Sequence, residues 1–409
     1  MNSPVNSRLV PAALFAAAFA VMARQLPNGQ LGAGFESIAI ARNLAQYGTF
    51  ANPYLPFVTG PTVHSPPLQP LFFAFLIRLF GYSATFALVV SLCTLAAQGL
   101  QMALLPSLSE LFFGSRWPGI LAACMGIALP VYAFLPHSET VYCAIGTMLF
   151  CLLSNRLAPR AGMLAPLICG IYLGILAQLG PVVLPVAACW LGYLCWRKRL
   201  NAPARFALVV FLGFALALAP WTWRNYRVFH AFVFVRDNFG LQLAVSNNDE
   251  AGATYQWNLV HQTNRLDPAH SREEADHVFR MGEVAYFRQR SVEAVEWIRQ
   301  HPSRFLLLTA TRARLFWLPT PRDCPPLLAF SIDALTAGAG AALVLFSLRR
   351  RPIGVFLAAV FALYPLVYYV VEFDPRYRIS VLWIMLLATG YVVWSAGIQW
   401  MHNRPPATP

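Results

Sequence analysis

The first arrangement in this chain that could do chemistry is a glutamate followed by an asparagine seven positions on and a tyrosine eleven on. The stretch 34–47 reads GFESIAIARNLAQY. Its spacing predicts a helix with Ile38, Ala41 and Ala45 on one side and Glu36, Asn43 and Tyr47 within about 40° of one another. Glu36 is the sole acid between Pro27 and Pro67. A carboxylate can take a proton from a hydroxyl when partial burial raises its pKa toward neutrality. The same glutamate would equally complement the dipole of a helix start. Glu139, at the end of the turn Pro136-His137-Ser138-Glu139, carries the same pair of alternatives.

The cations that could face these acids lie late in the chain, in Glu372-Phe373-Asp374-Pro375-Arg376-Tyr377-Arg378. Asp374 before Pro375 is a good helix start and reads as a cap. Arg376 and Arg378 oppose the dipole there, and an anion held between guanidinium groups and free backbone N–H groups accounts for them. If this stretch is extended, residues i and i+2 point the same way and both arginines reach one phosphate; if it is already helical they diverge and only one can. Arg224, after Pro220-Trp221-Thr222-Trp223, is a third cation, either for the same anion or snorkelling from a helix end. His64 and His137 lie in loops with no partner at metal-ligand spacing, and no phosphate-binding glycine loop is present. Seven of the eight cysteines fall in apolar stretches, with Cys324 apart, so no disulfide framework or metal motif follows.

What positions these groups is a set of apolar segments. Hydrophobic residues make up 58% of the chain and charged ones only 11%, where a soluble domain carries roughly a quarter. Runs long enough to cross a hydrocarbon core lie near 9–26, 84–106, 117–135, 139–154, 163–179, 181–196, 205–223, 327–348, 353–371 and 379–400. The first is expected to be an uncleaved helix rather than a signal peptide. Arginine and lysine collect at alternate ends, including Arg116, Arg156, Arg205 and Arg349 to Arg351, and Glu110 is the only acid sharing those ends. That asymmetry places both termini in the cytoplasm and makes the net charge of +13 a membrane signature, not a nucleic-acid one. Phe305 to Leu318 contains Arg312 and Arg314 and is expected to lie in the interface, as is the short stretch Leu68 to Phe80.

The expected fold is therefore an all-α polytopic membrane protein of about ten spans with interfacial helices. Its expected parts are an N-terminal membrane module, 1–223, with a first outer loop at 27–67; an extracytoplasmic helical segment, 224–326; and a C-terminal membrane module, 327–409. The middle segment holds 11 of the 17 acids and 13 arginines, so it is nearly neutral and should fold. Ser271-Arg272-Glu273-Glu274 fits a capping box opening a helix to about Arg290, with a second helix from Val292 to Gln300.

Four stretches in this order resemble the bacterial GT-C glycosyltransferases, the group that includes family 39 protein O-mannosyltransferases and the lipid A aminoarabinose transferase. They are Gly34 to Leu44; His64-Ser65-Pro66-Pro67 leading into Leu71 to Gly81; Ala219 to Tyr226 through Asn238-Phe239-Gly240 and Asn247-Asn248; and Tyr368-Tyr369 to Arg378. The chain departs from the pattern at Gln69, where an aromatic residue is common. The resemblance implies transfer of a sugar from a polyprenyl-phosphate donor to a hydroxyl of a glycan, lipid or protein acceptor, on the outer face of the cytoplasmic membrane. It implies Glu36 as base, Glu139 as a second acid, and Arg376, Arg378 and Arg224 as donor-phosphate ligands. Asn43, Tyr47 and His64 are then the polar groups available to acceptor or sugar. No cofactor is implied and no metal is strictly required, which leaves a divalent ion open. The rival expectation is a transporter or flippase of an envelope lipid or glycan precursor. It calls for internal repeats and ionisable groups at mid-membrane depth, and Asp333 alone answers to the second.

Overall fold

The computed structural model describes residues 6–24, 35–129, 138–157, 162–198, 202–261, 265–321 and 324–402. His137 lies outside them. The described residues are helical almost throughout. Besides the helices they hold only two isolated β-bridges, Ala51 to Pro61 and Thr254 to Phe373.

The chain opens with α1 (Asn6–Ala23), then two shorter helices, α2 (Phe35–Tyr47) and α3 (Leu68–Phe80). A bundle of six follows: α4 (Ala84–Phe113), α5 (Trp117–Ala128), α6 (Ser138–Leu157), α7 (Leu164–Leu179), α8 (Leu184–Lys198) and α9 (Pro203–Phe229). Next come α10 (Phe239–Ser246), α11 (Tyr255–Val260), α12 (Arg272–Met281), α13 (Glu283–Gln300) and α14 (Pro302–Trp317). The chain closes with α15 (Pro326–Leu348), α16 (Ile353–Leu363), α17 (Leu366–Val370) and α18 (Ile379–His402).

Six helical stretches are long and apolar enough to cross a membrane: α4, α6, α9, α15, the α16–α17 run and the stretch ending in α18. Four more of the expected spans, α1, α5, α7 and α8, are shorter apolar helices. α14, with Arg304, Arg312 and Arg314, is not among either group. Local sequence explains several ends. Ser83 caps α4 by accepting from Phe86 N, and Gly114 ends that helix in the left-handed region. Between α7 and α9 the pattern Gly170-x-x-x-Gly174 brings two backbones together. A Cβ on Gly170 would stand 2.0 Å from the Val210 carbonyl oxygen, so only a glycine permits this crossing. α18 is the most enclosed of the long helices, and its Trp383 packs into the aromatic core with Phe112, Trp190 and Phe356.

The 239–300 stretch has its own small core of Leu241, Val245, Val278, Tyr286 and Phe287, drawn from α10, α12 and α13. Ser271 caps α12 as expected, accepting from Glu274 N at 3.3 Å. The helix then ends at Met281 instead of running to Arg290, because Gly282 turns the chain at φ 83° and α13 starts afresh at Glu283. Glu274 does not reach back to complete a capping box. Its carboxylate accepts from the Tyr286 hydroxyl at 2.6 Å and pairs with Arg290, tying α12 to α13. α14 is joined to this unit by Arg312, which is fully buried and donates to the carbonyls of Ser246, Gly252 and Val370 and to Asn247 Oδ1.

Candidate active site

α2, α6, the loop before α3, the approach to α10, the α16–α17 run and the turn before α18 converge on one cavity of about 520 Å³. Two acids line it, Glu36 and Glu139, and two bases, Arg236 and Arg376. His64 also lines it, and Tyr364, Tyr368 and Tyr377 form an aromatic wall in which Tyr368 and Tyr377 stack at 4.3 Å.

Glu36 stands in the first turn of α2 and is half-buried. Burial raises its pKa, but a charged His64, the α2 backbone N–H, Arg376 and Arg236 together bring it below the ordinary carboxylate value. The expected upward shift is therefore reversed: His64, the backbone N–H and the two arginines together outweigh its desolvation. His64 itself is pushed down to about 4, chiefly by burial, so it is neutral at pH 7. Tyr54 OH stands 2.9 Å from His64 Nδ1. With Tyr54 as donor, the imidazole carries its hydrogen on Nε2.

The other two members of the α2 trio are elsewhere. Asn43 donates to the carbonyl and hydroxyl oxygens of Thr49, both at 2.7 Å, and accepts from Asn52 Nδ2 at 3.0 Å. Tyr47 is exposed. A common angular position does not give a common depth: seven and eleven residues along a helix are roughly 10 and 16 Å from Glu36, beyond the cavity.

The arginines divide in the same way. The chain from Pro375 to Arg378 forms a 3₁₀ turn, capped by Asp374 Oδ1 accepting from Arg376 N at 2.9 Å. The helical alternative set out above thus holds, and the two side chains part. Arg376 lines the cavity, with its Nε 3.3 Å from Asp374 Oδ2. Arg378 is buried under the rings of Phe316 and Phe373 and donates to the carbonyls of Leu315 and Phe316, away from the cavity lining. Arg224 donates to the Phe50 and Thr62 carbonyls, each at 3.0 Å, and packs on Phe50 and Trp221. It clamps the loop between α2 and α3.

Two participants were missed in the sequence. Arg236 enters the cavity from the chain before α10, its Nε donating to Asn238 Oδ1 at 2.9 Å. Its signal was proximity to the Asn238-Phe239-Gly240 stretch. Glu283 accepts from Thr62 Oγ1 at 2.7 Å and from Val63 N at 2.6 Å, while Thr62 Oγ1 accepts from His64 N at 2.9 Å. Burial pushes its carboxyl up to about 8 despite those donors. Together Glu283 and Arg224 fix the segment that delivers His64. Among the described residues, no group of three or more His, Cys, Asp or Glu side chains could hold a metal ion.

Beside the polar cavity lies an apolar pocket of about 400 Å³, lined by Leu68, Gln69, Phe72, Cys93, Tyr142 and Leu179. Gln69 separates the two, since its amide bonds to Ser37 and Ser138 of the cavity wall.

No protein family and no curated protein matches the chain by sequence. Solved structures do match. The archaeal oligosaccharyltransferase AglB from Archaeoglobus fulgidus, in complex with an inhibitory peptide and a dolichol-phosphate, matches 100% of this chain at 14% identity and a TM-score of 0.56. A second structure of the Archaeoglobus fulgidus oligosaccharyltransferase, tethered to an acceptor peptide containing an NVT sequon, matches 94% at 14% identity and 0.55. A looser match is ArnT from Cupriavidus metallidurans bound to undecaprenyl phosphate, with 15% identity over 97% of this chain, 81% of ArnT and a TM-score of 0.43. The chain spans about half the length of the oligosaccharyltransferases, 53% and 50%. What the chain shares with the two oligosaccharyltransferase structures is a fold.

Proposed function

We propose that this protein is a membrane glycosyltransferase that moves a sugar from a polyprenyl-phosphate donor to an acceptor hydroxyl on the outer face of the cytoplasmic membrane. The observation that carries this reading is one cavity holding two carboxylates and two arginines, with an apolar pocket directly across Gln69. A lipid-phosphate sugar needs those three environments side by side. Arg376 and Arg236 receive the phosphate, the tyrosine wall flanks the sugar, and the apolar pocket takes the first isoprene units. The fold likeness supports the same class.

In this mechanism the acceptor oxygen attacks the anomeric carbon as the bond from that carbon to the phosphate oxygen breaks. Glu36, ionised at neutral pH, takes the acceptor proton. Positive charge builds on the sugar ring and negative charge on the departing phosphate, which the two guanidinium groups stabilise where it develops. Single displacement inverts the anomeric configuration. Glu139, on the opposite element of the cavity, is the second carboxylate available to the developing positive charge. Arg378 and Arg224, proposed from sequence as phosphate ligands, act here as framework.

The test is to give the purified protein labelled polyprenyl-phosphate sugars with glycan, lipid and peptide acceptors and to measure free lipid phosphate. Acceptor-dependent release with transfer of label supports the reading. Donor binding without release under any acceptor, with or without added divalent cation, overturns it.

A further inference from the structure

Between the two cavity carboxylates runs a buried polar bridge that the chemistry above does not use. Ser37 Oγ donates to Gln69 Oε1 at 3.1 Å, and Gln69 Nε2 donates to Ser138 Oγ at 2.7 Å. All three residues are buried, with Ser37 at 5%, Gln69 at 3% and Ser138 at 0% exposure. Each serine is the chain neighbour of a carboxylate, Ser37 of Glu36 on α2 and Ser138 of Glu139 on α6.

A primary amide is a neutral side-chain group that accepts at one end and donates at the other in a fixed plane, and it does not titrate. It joins two hydroxyls without adding charge beside two acids. A buried bridge of this kind is satisfied only in one arrangement, so it specifies geometry more than it adds stability. α2 belongs to the first outer loop and packs on α3, whereas α6 belongs to the membrane bundle. Their relative position therefore depends on what α3 presents to both, and at this height α3 presents Gln69. An aromatic residue at that position could fill the space but could not bond to both serines.

We propose that Gln69 is a positioning residue that sets the separation of Glu36 and Glu139, holding the outer-loop helix in register with the bundle for transfer. The inference rests on the proposed glycosyl transfer for its consequence in turnover, but not for its geometry. A catalytic group displaced by about 1 Å can cost two orders of magnitude in rate, so a strut that does not touch the reacting atoms can still govern it.

The test pairs a distance with a rate. Spin labels carried by non-canonical residues at Gln46 on α2 and Leu149 on α6, both exposed, report the separation of the two helices in nanodiscs. In Gln69→Leu, the label–label distribution should shift or broaden relative to the otherwise native chain. In the unlabelled Gln69→Leu protein, kcat should fall roughly 10- to 100-fold with a smaller change in donor KM, because the phosphate ligands Arg376 and Arg236 are untouched and leucine keeps the pocket wall beside the donor chain apolar. Ser138→Ala should reproduce part of the loss and add almost nothing on top of Gln69→Leu, since both cut the same bridge. It also serves if Gln69→Leu folds poorly. An unchanged distance distribution overturns the proposal, as does a loss that adds fully between the two substitutions. If the native chain transfers no sugar, the proposed reaction fails while the distance measurement still decides the strut.

Discussion

Glu36 and Arg376 face each other across the cavity because two ends of the sequence meet there, and both were visible as residue types before the fold was known. What sequence could not supply was depth along a helix or the partner of each cation. Asn43 and Tyr47 share the angular position of Glu36 and lie a turn or more beyond it. Arg378 looks like Arg376 in composition, yet its guanidinium is spent on two backbone carbonyls. The roles separate by substitution. Glu36→Gln keeps the shape of the side chain and removes the proton acceptor. Turnover should drop on the order of 10²-fold or more with donor binding intact, whereas a glutamate serving only the helix dipole would cost at most ~1 kcal/mol of stability. Near-native turnover by folded Glu36→Gln would move the base role to Glu139. Because His64, the helix N-terminus and the two arginines keep the Glu36 carboxyl below its usual range, turnover by the native protein should show no acid limb from this group between pH 5.5 and 7.5. For the cations, isothermal titration with a polyprenyl phosphate should find affinity lowered about tenfold or more in Arg376→Ala, with Arg376→Lys between, as expected when a bidentate fork is lost. Arg378→Ala should instead cost roughly 2–4 kcal/mol of stability, through a void and two orphaned carbonyls, and leave affinity in the folded fraction unchanged. Equal affinity losses in the two alanine variants would refute this division.

At the scale of elements, the pairing of the start of α13 with the loop between α2 and α3 was the least legible feature. Glu283 sits 221 residues from Thr62, and nothing in a helix-start glutamate announces a partner at that distance. Gly282 was the local clue, a glycine inside an apparently continuous helical pattern whose φ of 83° ends α12 and aims Glu283 at the loop. The latch should be sensitive to alkali. The folded protein holds a proton on Glu283 up to about pH 8 and on Glu372 up to about 7, both chiefly through burial. The unfolded chain releases both near the ordinary value of 4.5. Between these limits the folded state binds more protons, so stability falls as pH rises. His64 and Glu36 are shifted downward and act in the opposite sense, but only below about pH 6.5, the unperturbed histidine value. From pH 6.5 to 8.5 the melting temperature should therefore decline by several degrees, and Glu283→Gln should flatten part of that decline. Identical slopes for the native and Glu283→Gln proteins in differential scanning fluorimetry would show that Glu283 is not held protonated.

Across the whole molecule, the apolar periodicity carried most of the helical architecture, because hydrocarbon imposes its demands on every turn of a spanning helix and leaves few alternatives. Each of the ten stretches predicted to span corresponds to an apolar helix among the described residues, six of them long enough to cross on their own. Sequence was weaker where polar groups substitute for water inside protein. Arg312 argued for a helix at the interface, and its side chain is in fact buried among carbonyls of α10, α17 and the chain after α10. What remains open to experiment is which face is which. The short loops expected in the cytoplasm hold the arginine clusters, whereas 224–326 carries nearly balanced charge and contributes Arg236, Asn238, Phe239 and Gln242 to the cavity. If both termini are cytoplasmic, cysteines introduced at 265–270 should react with a membrane-impermeant maleimide in intact spheroplasts. The background is favourable, since Cys324 is the only native cysteine outside the predicted spans. Reaction at 265–270 only after the cytoplasmic face is opened would invert the molecule, put the acids and arginines of the cavity on the wrong side for a lipid-linked donor presented outside, and require the transferase reading to be replaced.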